Sequence, residues 1–226
     1  MDYSKYNEST LFDTVDIETT TECNRKCWFC PVSKYPREKN LMNENLFKKI
    51  IDQLAELNCT RVFTPTLYGE PLLDERIVEL LTYTKQKLKE VRIEMYTNGD
   101  FLTYKLKQKL KGIVDVYIMN KPNGIEAPFP LTSRGGLIKE ANAPIRKTCD
   151  RPAHILTVNW KGDVILCCED YFGKHIFGNL KREKLIDIWN KKEFYEVRKG
   201  LLDGNSMKDI CKICFGTDKT WRERLK

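Results

Sequence analysis

The chain has 226 residues, enough to bury a real core in one domain, or in one domain with a small appendage. Apolar residues make up 41% and charged residues 31%, which excludes a disordered chain, and no apolar run approaches the ~18 residues that span a bilayer. The formal charge of +7 would suit an acidic partner, but the basic residues are scattered, as in Lys105, Lys107, Lys109 and Lys111, so they read as a solvated face and nucleic acid is not the expected partner.

Residues 1–12 are a polar lead-in, and Met1-Asp2-Tyr3-Ser4 does not resemble a signal peptide, so a cytoplasmic chain is expected. The β-branched alternation at 14–19 predicts a first strand, with a cysteine loop directly after it. Asn43 is a candidate N-cap for a helix whose apolar stripe is Phe47, Ile50, Ile51, Leu54 and Leu57. Strands are predicted at 60–66, 91–96 and 113–119, alternating with helices at 74–89 and 103–111. Four regular β–α steps imply parallel strands joined by right-handed crossovers. The rhythm then breaks at 120–144, a stretch with four prolines and the pair Gly135-Gly136, which reads as a long functional loop. Beyond Cys149, residues 153–160 and 164–168 read as a hairpin turning at Lys161-Gly162-Asp163, and 185–189 and 192–201 as short helices. The expected division is 1–140 and 141–226.

Nine cysteines without a secretory signal argue for metal binding over disulfides. Cys23, Cys27 and Cys30 follow the spacing C-x3-C-x2-C, one thiolate short of the four that hold a four-iron cluster or a structural zinc. Such a site leaves a coordination position open to something other than protein. Cys149, Cys167, Cys211 and Cys214 form a complete set of four, and zinc is an acceptable occupant on spacing alone. If residues 164–168 continue as a strand, adjacent Cys167 and Cys168 face opposite ways, so Cys168, like Cys59, is expected to be an apolar filler.

The three-cysteine loop, with Phe29 just before its third thiol, resembles the radical S-adenosylmethionine (radical SAM) superfamily. Gly69-Glu70 after the second strand and Thr97-Asn98-Gly99 after the third resemble further motifs of that family, in the same order along the chain. The resemblance implies that SAM completes the open cluster and that Gly69, Glu70 and Asn98 hold its methionine portion. It also implies that Phe29 packs beside adenine and that Asn120 reaches the ribose. Phe29 equally fits an ordinary core position, and Gly69-Glu70-Pro71 and Asn98-Gly99 ordinary turns.

Gly162-x4-Cys167, Phe177-Gly178-Asn179-Leu180, Ile186-Asp187-Ile188-Trp189-Asn190 and the closing C-x2-C resemble the family's SPASM/twitch extension, which carries an auxiliary iron–sulfur cluster. The implied fold is α/β: a partial radical SAM β/α barrel with a small C-terminal α+β auxiliary domain. The implied cofactors are two 4Fe–4S clusters and S-adenosylmethionine, with a flavodoxin- or ferredoxin-type electron donor. In layout the chain is similar to family members that oxidise a secondary alcohol of a cyclitol or sugar to a ketone. Arg134 and Glu169 are the candidate substrate contacts, with Tyr68 and Asp170 behind them. The alternatives are peptide modification by the same radical chemistry and, from another class, a non-catalytic zinc-binding interaction protein.

Overall fold

The computed structural model describes residues 11–119, 131–139, 145–205 and 208–216. Strand β1 (Thr14–Ile17) lies at the centre of a seven-stranded sheet of order β4-β3-β2-β1-β5-β6-β7. On one side stand β2 (Val62–Thr64), β3 (Arg92–Thr97) and β4 (Val116–Met119), all parallel. On the other, β5 (Ile155–Val158) also runs parallel to β1, and β6 (Asp163–Ile165) and β7 (Ile176–Asn179) complete the sheet antiparallel.

The alternation of β1 sets the two faces. Val15 and Ile17 are fully buried against α2 (Glu44–Leu57) and α3 (Ile77–Lys87), in one core with Phe63, Ile93, Met95, Leu156 and Val158. Asp16 points to the other face, in register with Thr64 of β2 and Thr157 of β5, so the inner wall of the partial barrel is polar. Helix α2 begins as its sequence dictates: Asn43 Oδ1 accepts from the Leu46 amide at 3.1 Å, and Asn58 ends it in the left-handed region at φ 48°.

The predicted hairpin is present, but β6 stops at Ile165, and β5 is a fifth parallel strand as well as a hairpin arm. Strand β7 was not foreseen. Sheet and core both run across residue 140: β1 pairs with β5, and Trp189, which packs beside the stacked pair Phe177 and Phe194, lies edge-on against Phe12 at 4.9 Å. Trp189 belongs to α6 (Leu185–Trp189) and Phe194 to α7 (Lys192–Leu202). The lysines at 105, 107, 109 and 111 are exposed, on and just beyond α4 (Tyr104–Lys109). No helix among the described residues is long and apolar enough to cross a membrane.

Candidate active site

Cys23, Cys27 and Cys30 lie in the loop that leaves the C-terminal end of β1, and Cys30 precedes α1 (Pro31–Lys34). Polar bonds shape this loop. The Cys30 amide donates to the Cys27 carbonyl at 3.0 Å, and Ser33 Oγ donates to the carbonyls of Cys27 and Cys30 at 2.8 and 2.7 Å. Arg25 pairs with Asp100 through Nε at 2.8 Å and through a second nitrogen, and Asn24 donates to the same carboxylate at 2.8 Å.

Glu70 is a buried brace between strand ends. Its Oε1 accepts from Thr97 Oγ1 at 2.7 Å and from the Leu72 amide at 3.1 Å, while Oε2 accepts from the Asn98 amide at 2.7 Å. Asn98 carries the brace onward by donating to Asn24 at 2.7 Å. Gly69 is required by close approach: a Cβ there would lie 2.0 Å from the Thr20 carbonyl oxygen. Phe29 is buried, edge-on to half-exposed Trp28 at 5.7 Å. Asn120 lies outside the described residues.

The donor chemistry of this loop fits a cluster. The thiols are free, and Cys27 and Cys30 lie within electrostatic reach of Cys23. Burial pushes the Cys23 thiol up to about 11 and moves Cys27 and Cys30 upward as well. Iron binding there must therefore displace protons.

The second cysteine set converges on one apolar-walled cavity. Cys149 precedes α5 (Arg151–His154), Cys167 follows β6, and Cys211 and Cys214 sit on α8 (Asp209–Cys214). All four line the cavity with Leu166, Leu201, Ile210 and Phe215. None forms a disulfide, and burial, with Glu169, Cys211 and Cys149 nearby, pushes Cys214 up to about 12. Among the described residues no three or more His, Cys, Asp or Glu side chains are grouped to hold a single metal ion.

Between the two sets stand the sequence-predicted contacts. Arg134 lies over the Tyr68 ring at 5.6 Å and 3.8 Å from Glu169 Oε1, with Cys30 and Cys168 among its electrostatic partners. Its backbone is in the left-handed region at φ 49°, followed by Gly135 and Gly136 at φ 61° and 88°, a strained turn of the kind found where a side chain is aimed at a ligand. Glu169 is buried, and its Oε2 has no hydrogen-bond partner among the described residues. A buried carboxylate oxygen left open is costly unless a ligand fills it. Tyr68 hydroxyl donates to the Cys168 carbonyl and its ring packs on Tyr171 at 4.8 Å. A larger cleft, of about 280 Å³, shares Tyr68 but neither Arg134 nor Glu169. Asp170 is occupied by its own loop, accepting from the amides of Lys174 and His175 at 3.0 and 2.7 Å.

Two features were missed in the sequence. Arg151 donates through one nitrogen to Cys168 Sγ at 3.3 Å and to Glu169 Oε1 at 3.1 Å; its only sequence signal is a position two residues after Cys149. Cys168 is therefore not the apolar filler that strand alternation implied, because β6 has already ended at Ile165 and the thiol turns toward Arg151. The second feature, Asp16, projects from the inner wall, where burial pushes its carboxyl up to about 7 against the hydrogen bond from Thr64 and the charge of Arg151. Cys59 is partly buried and packs on the core.

The family model for the radical SAM superfamily matches residues 17–121, and that for the SPASM iron–sulfur cluster-binding domain matches residues 149–215. The chain is 30% identical to the S-adenosyl-L-methionine-dependent 2-deoxy-scyllo-inosamine dehydrogenase of Niallia circulans, covering 90% of this chain and 93% of that one. It is similar to the crystal structure of BtrN in complex with AdoMet and 2-DOIA, with a TM-score of 0.81, 30% identity and coverage of 90% and 92%. SuiB of Streptococcus suis bound to the precursor peptide SuiA shares the fold, with a TM-score of 0.65 at 13% identity over 87% of this chain and 69% of that one.

Proposed function

The chain belongs to the radical SAM superfamily, and from that premise we propose that it dehydrogenates a secondary alcohol of a sugar or cyclitol. It is an oxidoreductase whose cofactors are S-adenosylmethionine and two 4Fe–4S clusters. When bound, these supply a 5′-deoxyadenosyl radical that takes a substrate hydrogen atom and an acceptor for the electron that remains. The zinc-binding alternative falls with this membership.

The residues divide the work. Cys23, Cys27 and Cys30 would hold the SAM-binding cluster, three thiolates leaving room for SAM as a further ligand. Gly69, Glu70 and Asn98 present the strand ends to SAM's methionine portion, Phe29 faces the adenine side, and Asn120 is assigned to the ribose. Cys149, Cys167, Cys211 and Cys214 close the second cluster. The substrate lies between them, its hydroxyls bound by Arg134 and Glu169.

The observation that carries this reading is the open Oε2 of buried Glu169, with Arg134 held beside the same carboxylate. A carboxylate there accepts a hydroxyl hydrogen bond and takes the proton that leaves as the carbonyl forms, and a guanidinium polarises the oxygen. The Tyr68 ring lies beneath the Arg134 guanidinium and is itself buried. The Niallia relative, named for a cyclitol substrate, makes a cyclitol the first compound to try. The electron donor expected is a flavodoxin or ferredoxin in the cytoplasm.

The test is anaerobic reconstitution, counting iron and following 5′-deoxyadenosine and ketone formation with a panel of aminocyclitols and sugars. About eight irons, from two four-iron clusters, and a product two hydrogens lighter are expected. Conversion of a ribosomal peptide with every polyol inert would overturn the substrate class.

A further inference from the structure

Arg151 stands between the two functions of the C-terminal half. It lies two residues after Cys149, and its guanidinium reaches the residue that follows Cys167. It lines the same cavity as Cys149, Cys167, Cys211 and Cys214. One guanidinium nitrogen is shared between Cys168 Sγ at 3.3 Å and Glu169 Oε1 at 3.1 Å, so the charge is pinned in place although the side chain is partly exposed. Its electrostatic partners, beyond Cys168 and Glu169, are Cys167 and Cys149.

We propose that Arg151 sets the reduction potential of the second cluster, as a fixed counter-charge held at its boundary with the substrate site. The inference rests on Cys149, Cys167, Cys211 and Cys214 being that cluster's ligands. Reduction adds one negative charge to the cavity. A fixed positive charge beside the cavity stabilises the reduced form and raises the potential, and because the Arg151 side chain is 30% exposed, solvent screens part of that effect. The proposed oxidation needs this: one hydrogen atom leaves to the deoxyadenosyl radical, one proton to Glu169, and one electron to the second cluster. Glu169 opposes Arg151. Its carboxylate offsets part of the positive charge, so the potential reflects the difference between the two.

The experiment is a redox titration of the full reconstituted chain by electron paramagnetic resonance, with iron counted first. The SAM-binding cluster, recognised by its spectral change on adding SAM, is the internal control. Four irons in place of about eight in the unsubstituted chain would remove the ligand assignment itself. With both clusters present, Arg151→Gln is expected to make the second cluster at least tenfold harder to reduce, about 59 mV for one electron, with the first cluster unmoved. Arg151→Lys, which keeps the charge, should stay near the unsubstituted value. Glu169→Gln should shift the same signal the opposite way, and it tests the idea even if Arg151→Gln fails to hold its cluster. An unchanged second potential in both Arg151→Gln and Glu169→Gln, an equal shift of both clusters, or a fall in Arg151→Lys as large as in Arg151→Gln would overturn the proposal.

Discussion

The two cysteine sets are held by opposite physics. Around Cys23, Cys27 and Cys30 the supports are polar and lie at strand ends: Arg25 and Asn24 on Asp100, Asn98 on Asn24, Glu70 on Thr97 and Asn98. Around Cys149, Cys167, Cys211 and Cys214 most of the wall is apolar, Leu166, Leu201, Ile210 and Phe215 being continuous with the hydrophobic core, while Arg146, Arg151 and Glu169 supply the charge. A site that must admit and release a charged cofactor keeps hydrogen-bonding groups and an open edge. A site that only passes electrons gains from burial, which excludes water and fixes the charges that tune it. The lesson is that damage to the first set should stop chemistry while leaving the fold, whereas damage to the second should reach the fold.

The largest expected effect separates the two sets directly. Cys27→Ala should abolish 5′-deoxyadenosine formation and leave about four irons with little change in thermal stability. Cys214→Ala should retain SAM cleavage but form no oxidised product, and it should lower the melting temperature because α8 loses one of the two thiols that would anchor it to the cluster. Equal melting temperatures for the two variants would break the contrast.

Gly69→Ala asks whether the polar set has any rigid part. A methyl group 2.0 Å from the Thr20 carbonyl oxygen cannot be accommodated by a side-chain rotation, because the obstacle is backbone. Overpacking of this kind costs about 1–3 kcal/mol, or roughly 2–12 °C in a chain of this size. Because the displaced loop carries Cys23, SAM cleavage should fall with it. Full stability, measured by thermal denaturation, would show that the loop yields freely.

Local sequence signals were readable and non-local ones were not. Asn43 announced its cap, the stripe from Phe47 to Leu54 announced α2, and cysteine spacing marked out the three cysteines that share one loop and the four that line one cavity. Nothing local could show that β5 pairs in parallel with β1, because Thr14 meets Ile155 across most of the chain and parallel partners leave no turn signal between them. The short β7, interrupted by Gly178, carried too little periodicity to register. Arg134 and Glu169 could be named as candidates but not joined. Their meeting depends on the turn at 134–136, whose positive φ at an arginine no composition rule anticipates. Arg151 was invisible for the same reason, since what marks it is the neighbours it reaches.

The smallest effect tests how soft the open site is. Asp100 is exposed, and the hydrogen bonds from Arg25, then from Asn24, hold its carboxyl below the ordinary value. A carboxyl lowered in the folded state contributes stability that is present above the unfolded pKa and is lost as pH falls through the lower, folded one. That window lies below about pH 4, where the acid-labile sulfide of a cluster does not survive, so salt is the practical lever. Asp100→Asn should lower stability at neutral pH and low salt by less than about 1 kcal/mol, as exposed pairs do. The difference should shrink when salt rises toward ~1 M, where the screening length falls to about 3 Å. Denaturant melts of the reconstituted protein at the two salt concentrations measure it. A loss that persists at high salt would mean that the loop of Cys23, Cys27 and Cys30 is fixed by geometry rather than by charge, and would bring the open site closer in kind to the closed one.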